Sequence, residues 1–204
     1  MAAFFSNLRN TVIAGFILAA LMFVLYWRIQ GYDAPSFWPF LVRWLHVISG
    51  VMWIGLLWYF NFVSTPTAPK IPAELKPALG KYITPAALFW FRWGAMSTIF
   101  FGLILAWMNG YIAQTLTLDA IEDFSNPKAI SLGIGMWFGI IMWFNVWFII
   151  WPNQQKALNI DNRYPSLSQA EKDAAAKAGG MFSRVNTMLS IPMLFAMVAA
   201  QNIY

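Results

Sequence analysis

The chain has 204 residues, 60% of them hydrophobic and only 10% charged, a balance too apolar to keep the surface of a soluble domain wet. Its formal net charge of +5 comes from 13 basic residues that fall between apolar runs and form no continuous basic face, which excludes nucleic acid as the expected partner. There is no cysteine, so disulfides, iron–sulfur clusters and thiolate metal sites are excluded, and a metal or haem has only histidine, methionine or oxygen atoms to bind it.

A helix crossing a hydrocarbon core needs about 20 apolar residues. The first such stretch is Thr11 to Trp27. It follows Arg9 as a secretory signal would, but its apolar run is longer than a signal core and no small-residue cleavage site follows, so a retained span is expected. Gly31 to Pro35 carries turn chemistry, and Phe37 to Val63 is the second span. Pro66, Pro69, Pro72 and Pro77 mark a connection before the third span, Thr84 to Met108. Asn126 and Pro127 precede the fourth, Ile130 to Trp151. Ser168 and Glu171 have capping-box spacing, and the alanine-rich run that follows ends at Gly179 and Gly180, which predicts a surface helix over 168–178. That helix reads as a solvated connector or as a docking element. Val185 to Ile203, with Pro192 inside it, is the last span. The expectation is an all-α integral membrane protein, one domain over residues 1–204, built as a bundle of about five transmembrane helices.

Consecutive spans alternate direction, so the amino terminus and the connections 64–83 and 152–184 share one side. That side holds nine basic residues, Arg9, Lys70, Lys76, Lys81, Lys156, Arg163, Lys172, Lys177 and Arg184, against two, Arg28 and Lys128, on the other. The bias predicts a cytoplasmic amino terminus and a periplasmic carboxyl terminus in a bacterial inner membrane. Tyr26, Trp27, Trp38, Trp58, Tyr59, Tyr82, Trp107, Tyr111 and Trp151 fall near span ends, as an interfacial aromatic belt would.

His46 is the one histidine, and helical rise puts it about 13 Å from Phe37, inside the outer half of the bilayer on that orientation. Gly50 and Trp53 follow at i+4 and i+7, so a histidine, a gap and an indole share one helical face. Two readings stand. A neutral imidazole beside a glycine notch suits an axial ligand of haem b, with the macrocycle close to the backbone; equally, the histidine hydrogen-bonds a neighbouring helix and the glycines serve close packing. With a single histidine, the haem reading needs a methionine, an open position or a partner subunit to complete the coordination. Arg43 and Arg92 lie inside spans, where a guanidinium snorkels, pairs or binds an anion such as a haem propionate. Asn145 lies at about the depth of Arg92, so a bond between the two across a helix interface is expected. No phosphate-binding loop, paired-histidine metal motif or Ser/His/Asp set is visible, and the eight acidic residues lie in predicted connections, which argues against an intramembrane carboxylate proton relay.

The run Arg43 to Gly55, Arg43-Trp44-Leu45-His46-Val47-Ile48-Ser49-Gly50-Val51-Met52-Trp53-Ile54-Gly55, followed by Tyr59-Phe60, resembles the amino-terminal membrane domain of bacterial cytochrome-c-linked urate hydroxylases. Three later blocks are similar in the same order: Leu88-Phe89-Trp90-Phe91-Arg92-Trp93, then Asn145 to Lys156, then Ser183 to Thr187 with Leu189 to Phe195. The arrangement around His46 also resembles, more loosely, the small membrane protoporphyrinogen oxidases that bind haem b. The resemblance implies a metal role for His46 as haem ligand, with Arg43, Gly50, Trp53 and Arg92 as cofactor-binding neighbours. It also exposes departures. The urate hydroxylases carry a cytochrome c domain, and these 204 residues hold no Cys-x-x-Cys-His site. The family has histidines at the places of Val185 and Gln201 and a glutamate at the place of Gly94.

The expected function is therefore a non-autonomous inner-membrane subunit of a larger redox or bioenergetic complex, not catalytic alone, whose electron-transfer role, if any, centres on His46. Its expected partners are the lipid bilayer, other membrane subunits and a periplasmic cytochrome c. The alternatives are a urate hydroxylase component working with a separately encoded cytochrome c, and a purely structural membrane subunit.

Overall fold

The computed structural model describes residues 2–31 and 35–204, so Tyr32, Asp33 and Ala34 of the first expected turn lie outside the described residues. Among the described residues there is no strand, and five helices are long and apolar enough to cross a membrane. The chain is an all-α, multi-pass membrane protein in contact with the lipid bilayer. We label the helices α1 (Leu8–Gln30), α2 (Phe37–Lys70), α3 (Lys76–Met108), α4 (Pro127–Leu158) and α5 (Gln169–Asn202).

The chain divides into two compact units, Met1–Leu41 and Val42–Tyr204. In the first, Asn7 caps α1 by accepting from the backbone N–H of Arg9 at 3.0 Å and of Asn10 at 3.4 Å, the job of a side-chain oxygen at a helix start. Gly31 ends the helix at φ 77°, a backbone conformation natural only to glycine, and its N–H returns to the Trp27 carbonyl. Phe23 meets Phe37, and Tyr26 meets Phe40, at ring centroid distances of 5.1 and 6.3 Å.

In the second unit, helices run past the apolar stretches that announced them. Pro66 and Pro69 do not end α2, and Pro77 lies in the first turn of α3, so the expected connection of residues 64–83 shrinks to 71–75. The reason lies in three widened π-type turns, each ending two positions before a proline: Tyr59–Ser64 before Pro66, Leu79–Ile83 before Pro85, and Asn145–Ile150 before Pro152. A proline ring clashes with the carbonyl four residues earlier and donates no hydrogen bond, and widening the turn relieves the clash without stopping the helix. Asparagine amides nearby take up backbone carbonyls, Asn61 that of Leu57 and Asn153 that of Ile149, at 2.9 and 2.8 Å.

The surface helix expected to stop at Gly179 and Gly180 does not stop. Ser168 and Glu171 form the capping box, but the helix then runs unbroken to Asn202 and is the last span itself. Each glycine weakens a helix by about 1 kcal/mol, and close packing offsets that at Gly179. A Cβ on Gly179 would lie 3.3 Å from Gln154 Nε2 and 3.5 Å from Asn153 Cβ, so the glycine lets α5 approach α4.

The core gathers Trp53, Ile54 and Leu57 of α2, Leu88, Phe91 and Ala95 of α3, Met142, Val146 and Ile150 of α4, and Met193 of α5. Lipid tails are as apolar as these side chains, so dispersion and polar contacts, more than water exclusion, hold the spans together. The polar contacts run along α5. Asn145 donates to Asn186, Asn186 donates to the Met142 carbonyl, Trp58 donates to Ser190 and Asn61 donates to Ser183, all between 2.8 and 2.9 Å.

Between α3 and α4 a short helix, Ile112–Leu116, folds onto the start of α4. A Cβ at Gly133 would overlap the Thr115 carbonyl oxygen, and the Trp137 indole donates to the Leu116 carbonyl at 3.0 Å. Asp119 is fully buried there and accepts from Gln114 Nε2 and the Asn126 N–H at 2.7 and 2.6 Å, while Asn126 caps α4 through the Ala129 N–H. The carboxylate organises a connection.

Candidate functional site: a histidine seam between α2 and α3

His46 lies half-buried on the face of α2 that meets α3. Its Nδ1 lies 2.8 Å from the Thr98 carbonyl oxygen. A carbonyl can only accept, so Nδ1 carries the proton and Nε2 keeps its lone pair. The Thr98 carbonyl has a second lone pair to offer beyond its helical bond, and the Thr98 hydroxyl donates to the Gly94 carbonyl at 2.7 Å.

Gly94, Thr98 and Gly102 repeat every four residues and form the face of α3 that α2 presses into, a small-xxx-small stripe. A Cβ on Gly94 would lie 3.2 Å from the Trp53 backbone nitrogen, and one on Gly102 would lie 3.0 Å from His46 Nδ1 and Cε1. A Cβ on Gly50, from the other side, would meet Thr98 Cγ2 at 3.9 Å. The seam is thus His46, Gly50 and Trp53 of α2 set against Gly102, Thr98 and Gly94 of α3.

An axial haem ligand needs an available ring nitrogen and a flat open face beside it. The first condition is met: metal-bound histidines commonly give their other N–H to a backbone carbonyl, as Nδ1 does here. The second is not met within this chain. The notch expected at Gly50 faces Thr98, and Trp53 is 1% exposed in the core instead of flanking an open slot. His46 does not line either cavity described below. The residues present fit an iron-binding nitrogen and do not fit a macrocycle between these helices.

Arg43 is exposed one turn before His46. Arg92 belongs to a different place. At 100° per residue it lies on the side of α3 away from the Gly94, Thr98 and Gly102 stripe, against α4. Its guanidinium carbon lies 3.8 Å from the Trp151 ring centroid, 5.2 Å from that of Trp147 and 5.9 Å from that of Trp93. Three indole faces stand where a counter-ion would. The bond expected between Arg92 and Asn145 is absent, since Asn145 turns to Asn186. Outside the spans, burial pushes the Tyr111 phenol up, with the Arg43 charge opposing the shift.

Thr98, Gly102, Asn186 and the indole cage around Arg92 were not singled out from the sequence. The four-residue repeat of small side chains at 94, 98 and 102 was the signal available for the seam. In comparisons with known proteins, no family model, no curated protein and no solved structure matches this chain.

Proposed function

We propose that this chain is a subunit of a larger inner-membrane redox or bioenergetic assembly, not catalytic alone, on a scaffold resembling the urate hydroxylase membrane domain. The observation that carries this reading is Gly94. The resemblance implies a glutamate in its place, and the glycine instead brings α3 within contact of the Trp53 backbone, so a position of chemistry serves packing. Val185 and Gln201 support the same reading. An alkyl group and a neutral amide stand where the resemblance implies imidazoles, and neither takes up a proton near pH 7. On this reading the Lys/Arg-rich connections face the cytoplasm, and lipid with neighbouring subunits covers the outward indole and phenyl rings. Affinity purification from a native membrane under mild detergent tests it: the subunit co-purifies with other membrane proteins in fixed ratio, and recovery of the chain alone would overturn it.

A second reading is favoured by the bond from His46 Nδ1 to Thr98, which leaves Nε2 available. On this reading His46 would hold the iron of a haem b whose pocket a partner subunit completes, and the group would supply one-electron redox chemistry. The absorbance spectrum of the intact assembly decides. A b-type spectrum lost in His46→Gln supports this reading, because an amide keeps a hydrogen bond but is a poor iron ligand. A spectrum unchanged by that substitution places the haem on another subunit.

A further inference from the structure

Two of the three widened turns line one cavity. A space of about 150 Å³ is lined by Asn61 and Ser64 of the α2 turn, Ile150 of the α4 turn and Thr84 just after the α3 turn, with Ser183 and Arg184 of α5. It adjoins a wider groove of about 600 Å³ along α5, and Thr65, Gly180 and Arg184 line both. The groove is lined further by Lys177, Met181, Val185 and Met188. Widened helical turns recur at ligand sites because they displace side chains from the regular helix surface and open space beside it.

We propose that this groove binds one anionic glycerophospholipid, its phosphate held by Lys177 and Arg184 and an acyl chain laid along Val185 and Met188. Charge argues for the headgroup. No acidic residue lines either space, and among the described residues neither cation has a carboxylate within ion-pair distance. Lys177 and Arg184 are seven residues apart, two turns on one face of α5, and both line the groove. The chain beyond them argues for the acyl tail. Met188, Ile191 and Phe195 continue that face at helical spacing and are 62%, 61% and 72% exposed, which makes an apolar track leading from the two cations along the span. A free phosphate would use the cations alone and a neutral lipid the apolar track alone, whereas an anionic lipid uses both. The lipid phosphate replaces the missing counter-ion, as in other basic pockets between spans.

Native mass spectrometry of the full chain, released from detergent after equilibration with equimolar phosphatidylglycerol and phosphatidylcholine of identical acyl chains, tests this. One phosphatidylglycerol per chain is expected to be retained in preference. Lys177→Gln and Arg184→Gln each lower its retention roughly fivefold, the effect of one basic residue near a membrane surface, while Lys128→Gln leaves it unchanged. Equal retention of the two lipids by the unaltered protein overturns the proposal, and that measurement needs no variant to fold. Equal loss in Lys128→Gln would make the effect one of net charge and overturn it too. Competition by glycerol phosphate as strong as that of the intact lipid would remove the acyl half and with it the site as proposed.

Discussion

Asn145 donates to Asn186 at 2.8 Å, and Asn186 donates in turn to the Met142 carbonyl at 2.9 Å, so one buried side chain bridges a second amide and a helix backbone across the interface of α4 and α5. Asn186 is fully buried. Replacing it with leucine leaves the Asn145 amide and the Met142 carbonyl short of partners in a site without water. The expected loss is about 1–3 kcal/mol, seen as a lower unfolding midpoint in detergent. Replacing both asparagines by leucine recovers part of it, and a double variant worse than the single one would show that the bridge is not the source.

Gly94→Glu restores the residue that the urate hydroxylase resemblance implies. Its Cβ would press on the Trp53 nitrogen at 3.2 Å, and the carboxylate would follow into the core. Overpacking alone costs about 1–3 kcal/mol, and a buried charge adds to it. Thermal unfolding in detergent should show a lower midpoint than for Gly94→Ala, and a Glu variant as stable as wild type would mean that the seam opens freely.

The seal between the short helix and α4 should fail in Gly133→Val, because its side chain overlaps the Thr115 carbonyl. Thr115 is fully buried, and the chain has no cysteine of its own. A cysteine placed at 115 should therefore react slowly with a water-soluble maleimide in the otherwise native protein and faster when Gly133→Val is added. Equal rates would mean that the connection absorbs the extra methyls.

Nine basic residues against two predict the orientation. A reporter active only in the periplasm should be active when fused after Tyr204 and silent when inserted between Gln169 and Lys177. The opposite pattern would reverse the assignment of every connection.

Purified chain supplied with cytochrome c should not oxidise urate above a heat-treated control, since Gly94, Val185 and Gln201 replace the polar groups that the resemblance implies. Turnover above that control would instead make the chain a urate hydroxylase component.

The five spans and the all-α class were legible in the sequence because a bilayer imposes a length and a polarity that any 20-residue window must satisfy, wherever it packs. The capping box at Ser168 was legible too, because it is a contact between residues three apart. Where the helices end was not legible. Pro66 and Gly179 read locally as breaks, and they became tolerable only through a widened turn or a neighbouring helix close enough to reward a missing side chain. The partners of polar side chains were hidden for the same reason. His46, Arg92 and Asn145 each announced a group that hydrocarbon would not leave alone, but whether the answer came from a carbonyl, the indoles of another helix or another amide depended on residues 41 to 59 positions away. Hydrophobicity and turn chemistry are properties of short segments, whereas a hydrogen bond or an aromatic cage across an interface exists only once tertiary packing has set the rotation of each helix about its axis.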